Sequence, residues 1–190
     1  MLKSQLKLFS IILAISCTYP GLKAQFKWGI SDYSIAVTNV QYGLPFIKTF
    51  PIHPGLEIGT TFLKNEKEFS THSVSATAGY FYHNLIAHAP YIKTEYNYQL
   101  RIKKTIGFDV GAGVGYLHAF YPGEGYRYSE KSGAYESVLY QQAFFCASAS
   151  LGISVVKFDK IQPFVRYEQT MMNDLFHLMC LLRAGVKIRL

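Results

Sequence analysis

Past Gln25 the sequence has no apolar run that reaches the roughly 20 residues a membrane helix needs, and no sustained 3.6-residue periodicity. A helical span is therefore excluded. No lysine–arginine cluster is longer than "RIKK" at 101–104, and there is no basic stripe of the kind that holds nucleic acid. Cysteine is scarce, with three in 190 residues, and no spacing of His, Cys, Asp or Glu matches a metal-ligand motif. No Ser/His/acid order appears either, so neither a catalytic residue nor a cofactor is expected. The glycine-rich stretch "TIGFDVGAGVGYLHAFYP" (105–122) lacks the Lys-Ser/Thr of a phosphate-binding loop. Tyr116 also stands where a dinucleotide fingerprint needs its third glycine.

The one long apolar run is at the start. Lys3 and Lys7 precede Leu8 to Ser16, and "GLKA" precedes Gln25, the pattern of a secretory signal peptide cut after Ala24. Residues 1–24 are thus expected to be an export signal and 25–190 the mature domain. Cleavage would remove three of the 19 basic residues and none of the 12 acidic ones, lowering the formal charge from +7 to +4. Cys146 and Cys180 then remain, on opposite strand faces, and are expected to be free thiols.

What the mature chain has in abundance is two-residue alternation. In "YIKTEYNYQLRI" (91–102), Ile92, Thr94, Tyr96, Tyr98, Leu100 and Ile102 share one face, and Tyr91, Lys93, Glu95, Asn97, Gln99 and Arg101 the other. Such segments recur at about 29–42, 54–64, 70–83, 90–103, 105–121, 138–156, 161–171 and 176–190. Charged short turns at 65–69, 103–105 and 157–160 alternate with longer Gly-, Pro-, Tyr- and His-rich connections, the longest spanning 122–137. One end of the strand bundle has tight turns and the other loops.

One face of nearly every strand carries large apolar residues; the other carries Gly, Ser, Thr and a few charges of both signs. Small residues suit the cramped lumen of a closed barrel of about eight strands, and the large ones then face hydrocarbon. The inward charges Glu57, Glu95, Asp109 and Glu168 should pair with Lys93, Arg101, Arg166, Arg183 and Lys187 as a polar plug. Gly107, Gly111, Gly113 and Gly115 share the inward parity of Asp109 and make room for it. Aromatic residues at strand ends, among them Tyr80, Phe81, Tyr82, Tyr91, Phe120, Tyr121, Phe158 and Phe176, suggest a membrane-boundary girdle. His53, His83, His88, His118 and His177 fall at the loop end, where a rim cluster could bind a ligand.

From the signal segment to the terminal strand "LMCLLRAGVKIRL", the chain resembles the small outer-membrane β-barrels of Gram-negative bacteria, typified by OmpX and the membrane domain of OmpA. Its segment "GYFYHNLIAHAPYIKTEYNYQ" (79–99) resembles barrels of Bacteroidetes-type bacteria. That family's terminal strand usually ends in an aromatic residue, where this chain has Leu190. The resemblance implies an all-β, closed, antiparallel up-and-down transmembrane barrel in the cell outer membrane, contacting lipid and lipopolysaccharide and inserted by the barrel-assembly machinery. It would serve as a structural or interaction protein, with a protein partner in the envelope. The alternatives are a lipid A-modifying acyltransferase or deacylase, a narrow pore, and a soluble periplasmic barrel with its faces reversed, which would put Lys93, Glu95 and Arg101 on the outside.

Overall fold

The computed structural model describes residues 27–42, 52–83, 87–102, 105–130, 132–158, 160–172 and 178–190. The expected signal segment, most of the first loop, His177 and Phe176 lie outside these residues. Eight antiparallel strands, β1 (Lys27–Tyr42), β2 (Pro54–Glu66), β3 (Ser70–His83), β4 (Ala87–Ile102), β5 (Ile106–Ser129), β6 (Ala134–Val155), β7 (Ile161–Met172) and β8 (Leu178–Arg189), pair in sequence order. β1 closes on β8 through a ladder from Asp32↔Arg189 to Tyr42↔Met179, so the sheet is a closed barrel without an edge at its waist.

Alternation decides which way each side chain points. Along β4, Tyr91, Lys93, Glu95, Asn97 and Gln99 are buried, whereas Ile92, Tyr96, Leu100 and Ile102 are exposed. The same holds on β7, where Gln162, Phe164, Arg166, Glu168 and Thr170 are buried between exposed Ile161, Val165 and Met171. Charges are inside and aliphatic residues outside. Reversed faces are excluded, because Lys93 and Glu95 are 5% and 2% exposed.

The glycines of β5 meet the crowded lumen. A Cβ on Gly111 would come 2.4 Å from Ser150 Oγ, 2.9 Å from Asn97 Oδ1 and 3.0 Å from Glu95 Oε1. Hydrogen in that place is what lets the larger polar groups of β4 and β6 meet across β5.

Two sequence expectations require correction. The 122–137 stretch is not a loop: β5 and β6 continue through it, pairing from Glu124↔Leu139 to Ser129↔Ala134 beyond a bulge between Phe120 and Glu124. Pro122 and Gly123, the latter at φ 121°, make that bulge, and the chain turns only at Gly133, φ 62°. Pairing of β4 with β5 stops at His88↔Phe120, and pairing of β6 with β7 starts at Cys146↔Met172. The six residue pairs beyond the bulge therefore form a free two-stranded ribbon that projects about 20 Å. An isolated ribbon is marginal in water; here Tyr128 packs edge-on against Tyr135 at 5.5 Å, and Tyr121 against Tyr140 at 5.0 Å.

The second correction concerns the lumen, which is not polar throughout. Its loop-end half is filled by Val40, Phe81, Tyr91, Leu117, Phe144, Met172, Met179 and Leu181, with Ala87, Ala89 and Ala119. Phe81 and Tyr91 belong to this layer rather than to a girdle. Tyr121 packs against it, Phe120 is half-buried on the outer face, and Tyr80, Tyr82 and Phe158 are exposed.

Candidate functional site

Below the apolar layer, five strands send charged side chains to one point. Glu57 comes from β2, Lys93 and Glu95 from β4, Asp109 from β5, Arg166 and Glu168 from β7, and Arg183 from β8. Arg166 and Arg183 are direct cross-strand neighbours, an arrangement that costs energy unless acids reach them. The acids do so from across the lumen. Arg183 lies 3.1 Å from Glu95, 3.5 Å from Glu57 and in closest contact with Glu168. Arg166 lies 3.4 Å from Glu95 and 3.6 Å from Asp109, and donates to Asn97 Oδ1 at 2.6 Å. Lys93 bridges Glu168 at 2.8 Å and Glu57 at 3.3 Å, while Tyr91 lays its ring over Gly79 and donates its hydroxyl to Glu57 at 2.5 Å. Ser150 donates to Glu95 Oε1 at 2.8 Å, and Gln99 donates to both Asp109 and Ser154.

Two of the expected members sit elsewhere. Arg101 joins a separate cluster at the turn end, 2.9 Å from Glu66 and 2.6 Å from Thr71 Oγ1. There Lys64 bridges Asp32 and Glu66, and Arg189 reaches Glu66 at 3.7 Å. Lys187, four residues toward the turn end from Arg183, stands over the Phe164 ring at 5.9 Å. Asp32, Lys64 and Arg189 escaped the sequence reading, although strand parity marks Asp32 and Arg189 as inward partners through their cross-strand pairing.

Where the ionic and apolar layers meet is a cavity of about 10 Å³ lined by Tyr91, Lys93, Leu117, Cys146, Glu168 and Met179, about the size that holds one water. Nothing larger is needed to account for the lumen at this level. Among the described residues the two layers fill the lumen at this level.

The four described loop-end histidines do not converge. His53 and His83 face inward and stack at 3.4 Å, above the apolar layer, with Tyr42 edge-on to His83 at 5.5 Å. Burial, and the neighbouring imidazole of His53, hold the His83 pKa below its usual value. His88 and His118 instead share the outward parity of Ile92 and Tyr116 and flank Phe120 at 5.3 and 4.8 Å. Their partners are the hydroxyls of Tyr80 and Tyr116 and, for His118, Gln141. Among the described residues no three His, Cys, Asp or Glu side chains are placed to share a metal ion. Cys146 points inward and Cys180 outward; neither is in a disulfide, and Cys180 Sγ donates to Gln169 Oε1 at 3.1 Å.

No protein-family model and no curated protein matches the sequence. Solved structures do match the barrel. Ail, the attachment invasion locus protein of Yersinia pestis, aligns with a TM-score of 0.53 at 12% identity, covering 86% of this chain and 100% of Ail. Neisserial surface protein A aligns at 0.52 and 11% identity, covering 85% of this chain and 99% of that one. The chain has the fold of the small eight-stranded outer-membrane β-barrels. Ail in complex with the heparin analogue sucrose octasulfate aligns at 0.51 and 13% identity. At such identity the likeness concerns architecture, and the interior and rim of this outer-membrane-type barrel stand on their own geometry.

Proposed function

We propose that the chain is an integral outer-membrane protein, exported on residues 1–24, that serves as a non-catalytic interaction protein and presents the β5–β6 ribbon to a partner. The observation that carries this reading is the height of the apolar exterior. Cross-strand rows run from His72–Tyr98–Val110–Leu151 near the turns to Tyr82–His88–Phe120–Gln141 near the rim. The ten residue steps of β3 from His72 to Tyr82, at about 3.3 Å each and a tilt of about 40°, give a band of about 25 Å, the height of a bilayer's apolar core for this fold. Ile58, Ile92, Val114 and Phe145, with Val110 and Leu151 on its turn-end row, are 50–73% exposed and lie on that band. In water such a surface would be an extensive aggregation site.

The ribbon supports the interaction role. Residues Ala134–Ala143 are exposed or half-exposed on both faces, and Tyr126, Tyr128, Tyr135, Leu139 and Tyr140 are 54–73% exposed. Tyrosine supplies contact area at little entropic cost, which suits a protein or glycan partner. A sulfated glycan is a reasonable probe, given the Ail complex.

Membrane placement is tested by carbonate washing and by heat-modifiable gel migration of the expressed protein; release into the soluble fraction would contradict it. The ribbon is tested with trypsin on intact cells, since Arg127 lies within it and Lys131 falls between its two strands in the sequence. Cleavage there, with the remaining barrel protected, is expected. Protection of the ribbon until the outer membrane is opened would place it on the wrong side.

A further inference from the structure

Three outward-facing histidines share one arrangement. Nδ1 lies within hydrogen-bond distance of a tyrosine hydroxyl in each: His72 with Tyr96 at 2.6 Å, His88 with Tyr80 at 3.0 Å and His118 with Tyr116 at 3.0 Å. A phenol that donates to Nδ1 of a neutral imidazole fixes the proton on Nε2, and the ring then offers one N–H donor away from the tyrosine. At His118 that donor meets Gln141 Oε1 at 3.0 Å, which leaves the Gln141 amide nitrogen with its N–H groups for another acceptor.

The two loop-end histidines are not scattered. His88 belongs to the cross-sheet row Tyr82–His88–Phe120–Gln141, which crosses four strands without interruption, and His118 leans on Phe120 from the same face. The His88 and Phe120 rings stack at 20°. Four residues nearer the waist runs the row Ala78–Ile92–Tyr116–Phe145, with Ile92 58% and Phe145 73% exposed. The donors therefore begin where the apolar band stops, the level at which a bilayer places its phosphates.

We propose that this row binds the phosphate of an outer-leaflet lipid headgroup. His88 Nε2–H and the Gln141 amide donate to the phosphate oxygens, His118 and Tyr80 hold those donors in position, and Phe120 and Tyr82 pack against the lipid just below its phosphate. The charge logic is that of a donor-rich boundary facing an anion whose alternative partner is water, where hydrogen bonds to a charged group are worth more than neutral ones. The inference rests on the membrane reading with the loop end outward.

The test uses the mature chain refolded in detergent. Retained lipid is read by native mass spectrometry with lipid A, phosphatidylglycerol and an uncharged glycosyl diacylglycerol as probes, and ¹⁵N-histidine spectra are recorded with the lipids and with inorganic phosphate. Wild type should retain a phosphate-bearing lipid and shift the His88 ring signals. The double variant His88→Phe, Gln141→Leu should lose retention roughly tenfold or more, the worth of one to two charged hydrogen bonds. Tyr80→Phe should give an intermediate loss, and His72→Phe, at the opposite margin, none. Equal retention by wild type and the double variant, an equal loss in His72→Phe, or equal retention of the uncharged lipid would overturn the proposal. A His88 shift with inorganic phosphate as large as with lipid would make it a free-anion site and overturn it too. Unchanged heat-modifiable migration confirms that each variant folds. Flotation with vesicles separates the two readings: failure to float sinks both, whereas floating without phosphate preference sinks this inference alone.

Discussion

Arg183→Met removes the side chain that joins Glu57, Glu95 and Glu168 at the centre of the lumen. Formal charges balance once Lys187, on the turn-end side of this network, is counted: four acids (Glu57, Glu95, Asp109, Glu168) against Lys93, Arg166, Arg183 and Lys187. At an effective dielectric of about 20, a unit pair at 3–3.5 Å is worth roughly 5 kcal/mol before the cost of desolvation. Desolvation offsets much of this in the intact network, so the network itself adds little. Removing one partner is different, because side chains only 2–4% exposed are left with an uncompensated charge. The expected loss is about 3–5 kcal/mol, a large part of a typical folding free energy of about 5–15 kcal/mol. Urea unfolding of the detergent-refolded barrel, with folded and unfolded forms separated by migration without boiling, measures it. Adding Glu95→Met to the same chain restores the balance and should recover part of the loss, a coupling of about 0.5–3 kcal/mol. A loss below about 1 kcal/mol, or strictly additive variants, would mean that water screens the lumen and that no dry plug exists.

Gly111→Val places a branched side chain where even a Cβ would lie 2.4 Å from Ser150 Oγ, so it should destabilise by about 1–3 kcal/mol in the same urea assay, whereas Ala112→Val on the outward face should change it little. Because the folded state holds the His83 pKa low, the unfolded chain binds the proton first. Stability from this group is full above about pH 6.5 and is lost as pH falls through the depressed folded value. Urea midpoints at pH 7.5 and 5 should fall less in His83→Phe than in wild type, and equal falls would refute the assignment. Planar-bilayer recording should show no steady ion current from wild type, since the layers around Leu117 and Arg183 fill the bore; well-resolved single-channel openings would contradict this.

Alternation along each strand made the strand order and facing legible, because a period of two leaves one choice of face once a charge such as Lys93 or Asp109 marks the inside. The glycines of 107–115 could be assigned inward for the same reason. The ribbon was not legible: Pro122 and Gly123 read as a loop boundary, and only the paired tyrosines beyond them, Tyr128 with Tyr135, show that the ladder resumes after a bulge. The apolar layer was hidden because Phe81 and Tyr91 at strand ends look the same whether they point to lipid or lumen until parity is carried to the last residue. The histidines were grouped by height alone. Parity divides them, sending His53 and His83 to the mouth and His88 and His118 to the outer face.

The central claim is that the aliphatic face of this barrel meets lipid, and Trp28 tests it most directly. It is the one tryptophan of the chain, 78% exposed on β1 opposite Leu63, toward the turn-end margin of the apolar band. With the mature chain refolded into vesicles, brominated phospholipids should quench Trp28 fluorescence, more strongly when the bromines sit near the headgroup than at the acyl-chain ends. A barrel that stays in solution without detergent and whose Trp28 emission is untouched by brominated lipid would contradict the account.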